Sequence, residues 1–104
     1  MGMKSLAACF YSKQEYEKLL RVSDDRDSMC DTYDEWLFKF MQMKHGMEEY
    51  DTLIVPYFIN IDELQKWCVA NNKQNTGSAR ASYVVEVAKK SNNDFMTKVI
   101  NIQV

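Results

Sequence analysis

Residues 52–60, TLIVPYFIN, decide the fold of this chain. The stretch is rich in β-branched and aromatic residues and is apolar at both alternating sets of positions, which is typical of a strand covered on both faces. Pro56 has no N–H to give to a strand ladder, so we expect either an open sheet edge or a bulge at this position. The segments on both sides of the strand read as helices that would cover it.

Three capping signals predict where helices begin. Each places an N-cap side chain three residues before a glutamate: Ser12 with Glu15, Thr32 with Glu35, and Asn60 with Glu63. The expected helix ends, in chain order, are Val22, the sequence Lys44-His45-Gly46 with Gly46 as a left-handed cap, and Asn71-Asn72. The polar stretch 23–28 separates the first two helices, because short polar side chains compete for backbone hydrogen bonds.

The last third of the chain predicts a further helix and a terminal strand. Residues 78–90 fit either state, but their length and their content of Ala, Glu and Lys favour a helix. Ser91-Asn92-Asn93-Asp94 is typical of a turn, residues 96–104 of a strand, and residues 3–10 of another strand. The predicted fold is α/β, of the two-layer α+β type, in one domain over residues 1–104. Its sheet of two or three strands is packed by about four helices in the order (β)-α-α-β-α-α-β.

Composition excludes several classes of protein. The chain has 104 residues with a formal net charge of −2, and its apolar runs of four or five residues are far shorter than the roughly 18 that a membrane helix needs. Its three cysteines, Cys9, Cys30 and Cys68, are odd in number and widely spaced, which argues against a disulfide framework. No targeting segment is recognised, so we expect a cytoplasmic protein with reduced thiols.

The second predicted helix is richer in apolar residues than one buried stripe requires. At about 100° per residue its large apolar side chains fall within an arc of about 160°, and Phe38 lies outside that arc. Phe38 is either an isolated exposed aromatic or part of a contact surface. The terminal strand would offer a second surface, because an apolar edge can pair with another chain. The predicted interface is Trp36, Phe38, Phe40, Met41, Met43, Ile100, Ile102 and Val104, for binding a second copy of this chain and another protein.

A loop before the fourth helix suggests an alternative function. Thr76, Gly77, Ser78 and Arg80 combine hydroxyls, a small residue and a guanidinium at a helix start, which is how anions are held. The alternative is a purely structural role, in which the loop is an ordinary N-cap and the aliphatic part of the Arg80 side chain packs on the helix. Residues 1–63 carry 7 basic and 13 acidic side chains, whereas residues 64–104 carry 6 basic and 2 acidic ones. The basic segment would suit nucleotide or nucleic-acid binding, although the overall acidity argues against nucleic acid.

No catalytic or metal-binding constellation is evident in the sequence. His45 is the one histidine, and its predicted place at a helix end favours capping over base catalysis. The three cysteines and His45 match the composition of a Cys₃His zinc site but lie at none of its usual spacings. Asp24 and Asp25 open an acidic cluster that fails the pattern of an EF-hand loop and reads as a solvated turn. We therefore expect a non-enzymatic protein-interaction module, dimeric, without metal or cofactor.

Overall fold

Two parallel strands and four α-helices make up the fold. The computed structural model describes residues 4–103, with side chains over residues 4–91. The elements in chain order are β1 (Lys4–Phe10), α1 (Lys13–Val22), a 3₁₀ turn (Arg26–Ser28), α2 (Tyr33–Glu49), β2 (Thr52–Phe58), α3 (Ile61–Ala70) and α4 (Gly77–Gln103). The mixed α+β class, the number of helices and the two strands β1 and β2 agree with the sequence prediction.

The hydrogen bonds at the two ends of the sheet determine which residues of each strand direct their backbone groups toward the other strand. The Lys4 N–H donates to the Asp51 carbonyl, and the Ile59 N–H donates to the Phe10 carbonyl, each at 3.0 Å. With the parallel register that pairs Lys4 with Thr52, the even-numbered residues of β1 and the odd-numbered residues near β2 form the ladder. The backbone groups of the other residues point to the outer edges of the sheet.

Pro56 lies on the outer edge of β2, which explains how a proline is accommodated in the middle of a strand. Its even number places its nitrogen away from β1, so the missing N–H removes no bond from the ladder. The open-edge form of the prediction is therefore the right one, and no bulge is needed. The outer edge of β1, in contrast, presents the N–H and C=O groups of Ser5, Ala7 and Cys9.

Helices cover both faces of the sheet. On one face the ring of Phe10 contacts Phe40 of α2, with centroids 5.2 Å apart. On the other face Cys9 donates through Sγ to the carbonyl oxygen of Arg80 in α4, at 3.5 Å. A buried cluster drawn from the strand ends and from α1, α3 and α4 forms the core: Tyr11, Tyr16, Leu19, Ile59, Ile61, Leu64, Cys68, Ala79 and Val84.

The three predicted helix starts are confirmed. The side chains of Ser12, Thr32 and Asn60 accept hydrogen bonds from the backbone N–H three residues later, at 3.0–3.2 Å. The carboxylate of Glu15 has a longer reach than a local cap, because its Oε2 accepts from the Ile61 N–H at 3.0 Å. Glu15 thereby joins α1 to the first turn of α3 and satisfies one of that helix's unpaired donors.

The predicted end of α2 at Gly46 is wrong. The helix continues one further turn to Glu49, and the left-handed residue is Asp51, with φ of 61°. Two side-chain contacts at i,i+4 spacing span the position where the glycine was expected to stop the helix: a salt bridge between Lys44 and Glu48 at 2.8 Å, and a contact between His45 Nε2 and Glu49 Oε1 at 3.0 Å. These contacts favour helix propagation through Gly46.

The structure has neither the predicted turn at residues 91–94 nor the predicted terminal strand, because α4 extends through residues 91–94 and on to Gln103. A helix that has already formed adds one hydrogen bond for each further residue, so polar turn-forming residues do not by themselves stop it. Ile100 and Ile102 lie on this helix, and their side chains are outside the described set. Val104 lies outside the described residues.

Replacing Glu15 with alanine should destabilise the protein by about 1–2 kcal/mol, because the Ile61 N–H loses its charged acceptor. Urea denaturation followed by circular dichroism measures the change in the free energy of unfolding. Glu17→Ala, an exposed glutamate on the same helix, is the matched control and should change stability by less than about 0.5 kcal/mol. Equal effects of the two substitutions would contradict the proposed link between α1 and α3.

Candidate functional site

The structure separates the predicted interface residues of α2 into three groups. Phe40 is buried, with 7% of its surface exposed, and Trp36 stacks on Tyr16 with ring centroids 5.5 Å apart. Both side chains therefore face the interior of the fold. Met43 lies on one flank of α2, where it borders a cleft between α2 and α4. Phe38 and Met41 project outward.

The outward face of α2 carries a narrow stripe, which we call the outer stripe: Asp34, Phe38, Met41 and His45. At about 100° per residue these four positions fall within an arc of about 60°. Phe38 is 65% exposed and Met41 is 52% exposed. His45 is also in solvent, with its side chain 80% exposed and Nε2 3.0 Å from Glu49. His45 thus lies within the length of α2, which ends at Glu49, and is not its C-terminal cap.

The predicted anion-binding loop sits at the start of α4, where Arg80 is buried. Its guanidinium donates two parallel hydrogen bonds to the carboxylate of Asp25, at 2.9 and 3.1 Å. A third bond, at 2.9 Å, goes to the side-chain oxygen of Asn75. This fork-to-fork arrangement is the strong, directional form of the arginine–carboxylate pair.

Asp25 also occupies the place that an external anion would take. One of its carboxylate oxygens accepts from the Gly77 N–H at 2.8 Å, at the positive end of the α4 dipole. The Thr76 hydroxyl caps the Ala79 N–H at 3.4 Å, and Ser78 is exposed. An incoming phosphate would therefore have to displace Asp25 from both partners.

Burial raises the pKa of Asp25, but the hydrogen bonds from Arg80 and Gly77, together with the charge of Arg80, outweigh it and hold the pKa below its usual range. Asp24 strengthens the same junction, since its carboxylate accepts from the Asn75 N–H at 2.7 Å. Asp24, which is exposed, and Asp25, which is half-buried, thus lie in a turn whose carboxylates accept hydrogen bonds from Asn75 and Gly77 at the start of α4.

A cleft lies between α2 and α4 along the outer edge of β1. Two adjoining cavities of about 290 Å³ each form it. Five residues line both: Tyr11, Trp36, Phe40, Met43 and Arg80. The walls are mainly aromatic and aliphatic, and the guanidinium of Arg80 is already paired. The cleft suits an apolar occupant better than a charged one.

The titratable groups beside this cleft do not favour nucleophilic chemistry. Burial raises the pKa of the Cys9 thiol, and burial together with Cys9 raises the pKa of the Tyr11 hydroxyl. Both groups are neutral at pH 7, whereas a reactive cysteine needs a lowered pKa. The three cysteines are free thiols. Across the residues with described side chains, no three His, Cys, Asp or Glu side chains come together as a metal site would require.

Comparisons with protein-family models, with curated proteins and with solved structures find no match to this chain. Within the part of the chain that the structure describes, no helix combines the length and the apolar character that crossing a bilayer requires. The geometry of the described residues is therefore the basis for assigning a function.

Replacing Asp25 with asparagine should destabilise the fold by about 2–3 kcal/mol at neutral pH, because it leaves a buried guanidinium without its counter-charge. Asp27→Asn, an exposed neighbour, is the control and should have little effect. Urea denaturation of both variants gives the comparison. Equal stabilities of the two variants would show that the pair with Arg80 does not hold α4 in place.

The contribution of Asp25 should also depend on pH. Because its pKa is lower in the folded state, its stabilisation is fully present above the unfolded value of about 3.9 and is lost as the pH falls through the folded value. The stability difference between the parent chain and Asp25→Asn should therefore shrink between about pH 5 and pH 2. Urea titrations over this range test it, and a constant difference would contradict the expectation.

Proposed function

We propose that this chain is a non-catalytic protein-interaction module that pairs with a second copy of itself through the outer stripe of α2. The observation that carries the proposal is the exposure of two large apolar side chains, Phe38 and Met41, between an acidic and a basic position on one face of a helix. The free cysteines support a reducing compartment, and we propose that the protein is cytoplasmic.

The spacing of the outer stripe makes it complementary to itself. Successive members lie four, three and four residues apart, which is the spacing of a helix–helix seam. In an antiparallel pair related by a two-fold axis, Phe38 would lie opposite Met41 of the partner subunit. Asp34 would then lie opposite His45 of the partner subunit. The apolar pairs come at the centre and the charged pairs at the ends, as in an isologous interface.

The area available sets the strength of the expected dimer. Full burial of a large apolar side chain stabilises by about 1.5–3 kcal/mol, and Phe38 and Met41 still expose 65% and 52% of their surfaces. Four such side chains in a symmetric pair would contribute about 4–8 kcal/mol before the cost of association. Subtracting even about 4 kcal/mol for association from the upper figure leaves about 4 kcal/mol, so we expect a weak dimer with a dissociation constant of about 1 mM.

Phe38→Ser should weaken dimerisation by about tenfold or more, because each dimer loses two central aromatic contacts. Sedimentation equilibrium over micromolar to millimolar concentrations measures the dissociation constant. Phe58→Ser is the matched control, since Phe58 is 75% exposed but lies at the end of β2 and off the outer stripe. A parent chain that stays monomeric throughout, or equal effects of the two substitutions, would refute the proposed interface.

An exchange of charges tests the antiparallel register. Asp34→His places two histidines opposite each other, and His45→Asp places two aspartates opposite each other, so each single variant should dimerise more weakly. The double variant restores opposite charges and should recover most of the lost affinity. The measurement belongs near pH 6 and at low salt, where imidazole carries charge and exposed pairs are least screened. Additive losses in the double variant would exclude this register.

A further inference from the structure

We infer that the outer edge of β1 is the docking site for residues 96–104 of the same chain, which would add to the sheet as a third parallel strand. In the structure these residues up to Gln103 continue α4, so docking requires a second arrangement of the segment. The outer edge of β1 is separate from the outer stripe of α2, so docking of the segment does not depend on the proposed dimer.

The backbone groups at this edge are oriented to pair with a further strand. Ser5, Ala7 and Cys9 direct their N–H and C=O groups away from β2, and none of the described residues hydrogen-bonds to these groups. Ala7 and Cys9 are half-buried, and unpaired backbone groups in such surroundings are costly. The outer edge of β2 is a poorer site, because Pro56 interrupts its row of donors.

The surroundings of the edge are largely apolar on both sides. On one side stand Trp36, Phe40 and Met43 of α2. On the other stand Ala81 and Val84 of α4. The space between them is the cleft already described, which borders Ala7, Ala8 and Cys9 of β1. A strand lying about 4.8 Å from β1 would occupy this space and place alternate side chains against the two helices.

The path of α4 brings the chain to the correct end of β1. Arg80, near the start of α4, contacts Cys9 near the end of β1. Val85 and Ala88, further along α4, border a groove shared with Ser5 at the other end of the strand. The helix therefore runs antiparallel to β1, and residue 91 comes level with the beginning of the strand. A turn at that point would return the chain along the open edge, as in a β-α-β crossover.

The sequence of the segment suits this route. Residues 91–94, Ser-Asn-Asn-Asp, are turn formers, and five of the nine residues in 96–104 are β-branched: Thr97, Val99, Ile100, Ile102 and Val104. Nine residues in extended conformation span about 30 Å, which exceeds the roughly 23 Å of the seven-residue β1. The resulting sheet would have the order β2, β1 and the added strand.

Amide hydrogen exchange measured by NMR on the full chain tests the inference. The N–H groups of Ser5, Ala7 and Cys9 should exchange about 100-fold or more slowly than those of Ile54 and Phe58, which face the outer edge of β2 and serve as internal references. The sample concentration is kept where light scattering gives a monomer. Equal exchange at the two edges would overturn the inference.

Single proline substitutions at residues 99, 100 and 101 separate a strand from a helix. In a strand alternate residues bond to β1, so protection of Ser5, Ala7 and Cys9 should fall strongly for one parity and little for the other. In a helix interior all three prolines are similarly disruptive, so a uniform response would count against a strand. Lys89→Ala with Lys90→Ala, which precede the turn, should leave the protection unchanged.

Dilution identifies whose segment occupies the edge. Protection that is independent of protein concentration supports docking within one chain. Protection that is lost on dilution, together with dissociation of a dimer, would show that the strand comes from a second copy and would overturn the assignment to the same chain.

Discussion

The parallel pairing of β1 with β2 requires the other elements to cover both faces of the sheet. Both strands carry apolar residues on both faces, and a parallel sheet exposes neither face to water in a stable fold. The crossover between the strands supplies α2 for one face, and the chain after β2 supplies α4 for the other. Everything that positions these two helices therefore contributes to the stability of the sheet.

The position of α4 depends on a contact between two distant parts of the chain. Asp25 follows α1, and Arg80 and Gly77 open α4, 55 and 52 residues later in the sequence. The acidic first segment and the basic last segment thus meet inside the molecule, and part of the charge asymmetry seen in the sequence is satisfied internally. The residues at this helix start have the chemistry of an anion-binding site, as their sequence predicted. The sequence could not identify the anion as Asp25, because no local pattern links residues so far apart.

Local signals in the sequence were sufficient where the physics is local. Each N-cap hydroxyl or amide bonds a backbone N–H three residues later, so Ser12, Thr32 and Asn60 marked their helices correctly. Helix ends were less predictable, because a glycine inside a helix costs only about 1 kcal/mol and does not oblige α2 to end at Gly46. The apolar pattern of α2 also did not separate interior from exterior residues. That separation depends on where the strands and α4 lie, which is a property of the whole fold.

The two edges of the sheet differ in what they permit beyond the single molecule. Residues 52–60 are the most β-prone part of the chain, and a segment of this composition is a hazard for cross-β aggregation. Fibril growth requires an unbroken row of backbone donors along the edge onto which the next chain is added. Pro56 removes the central donor from the outer edge of β2, so this strand is a poor template for fibrils even though its side chains favour them.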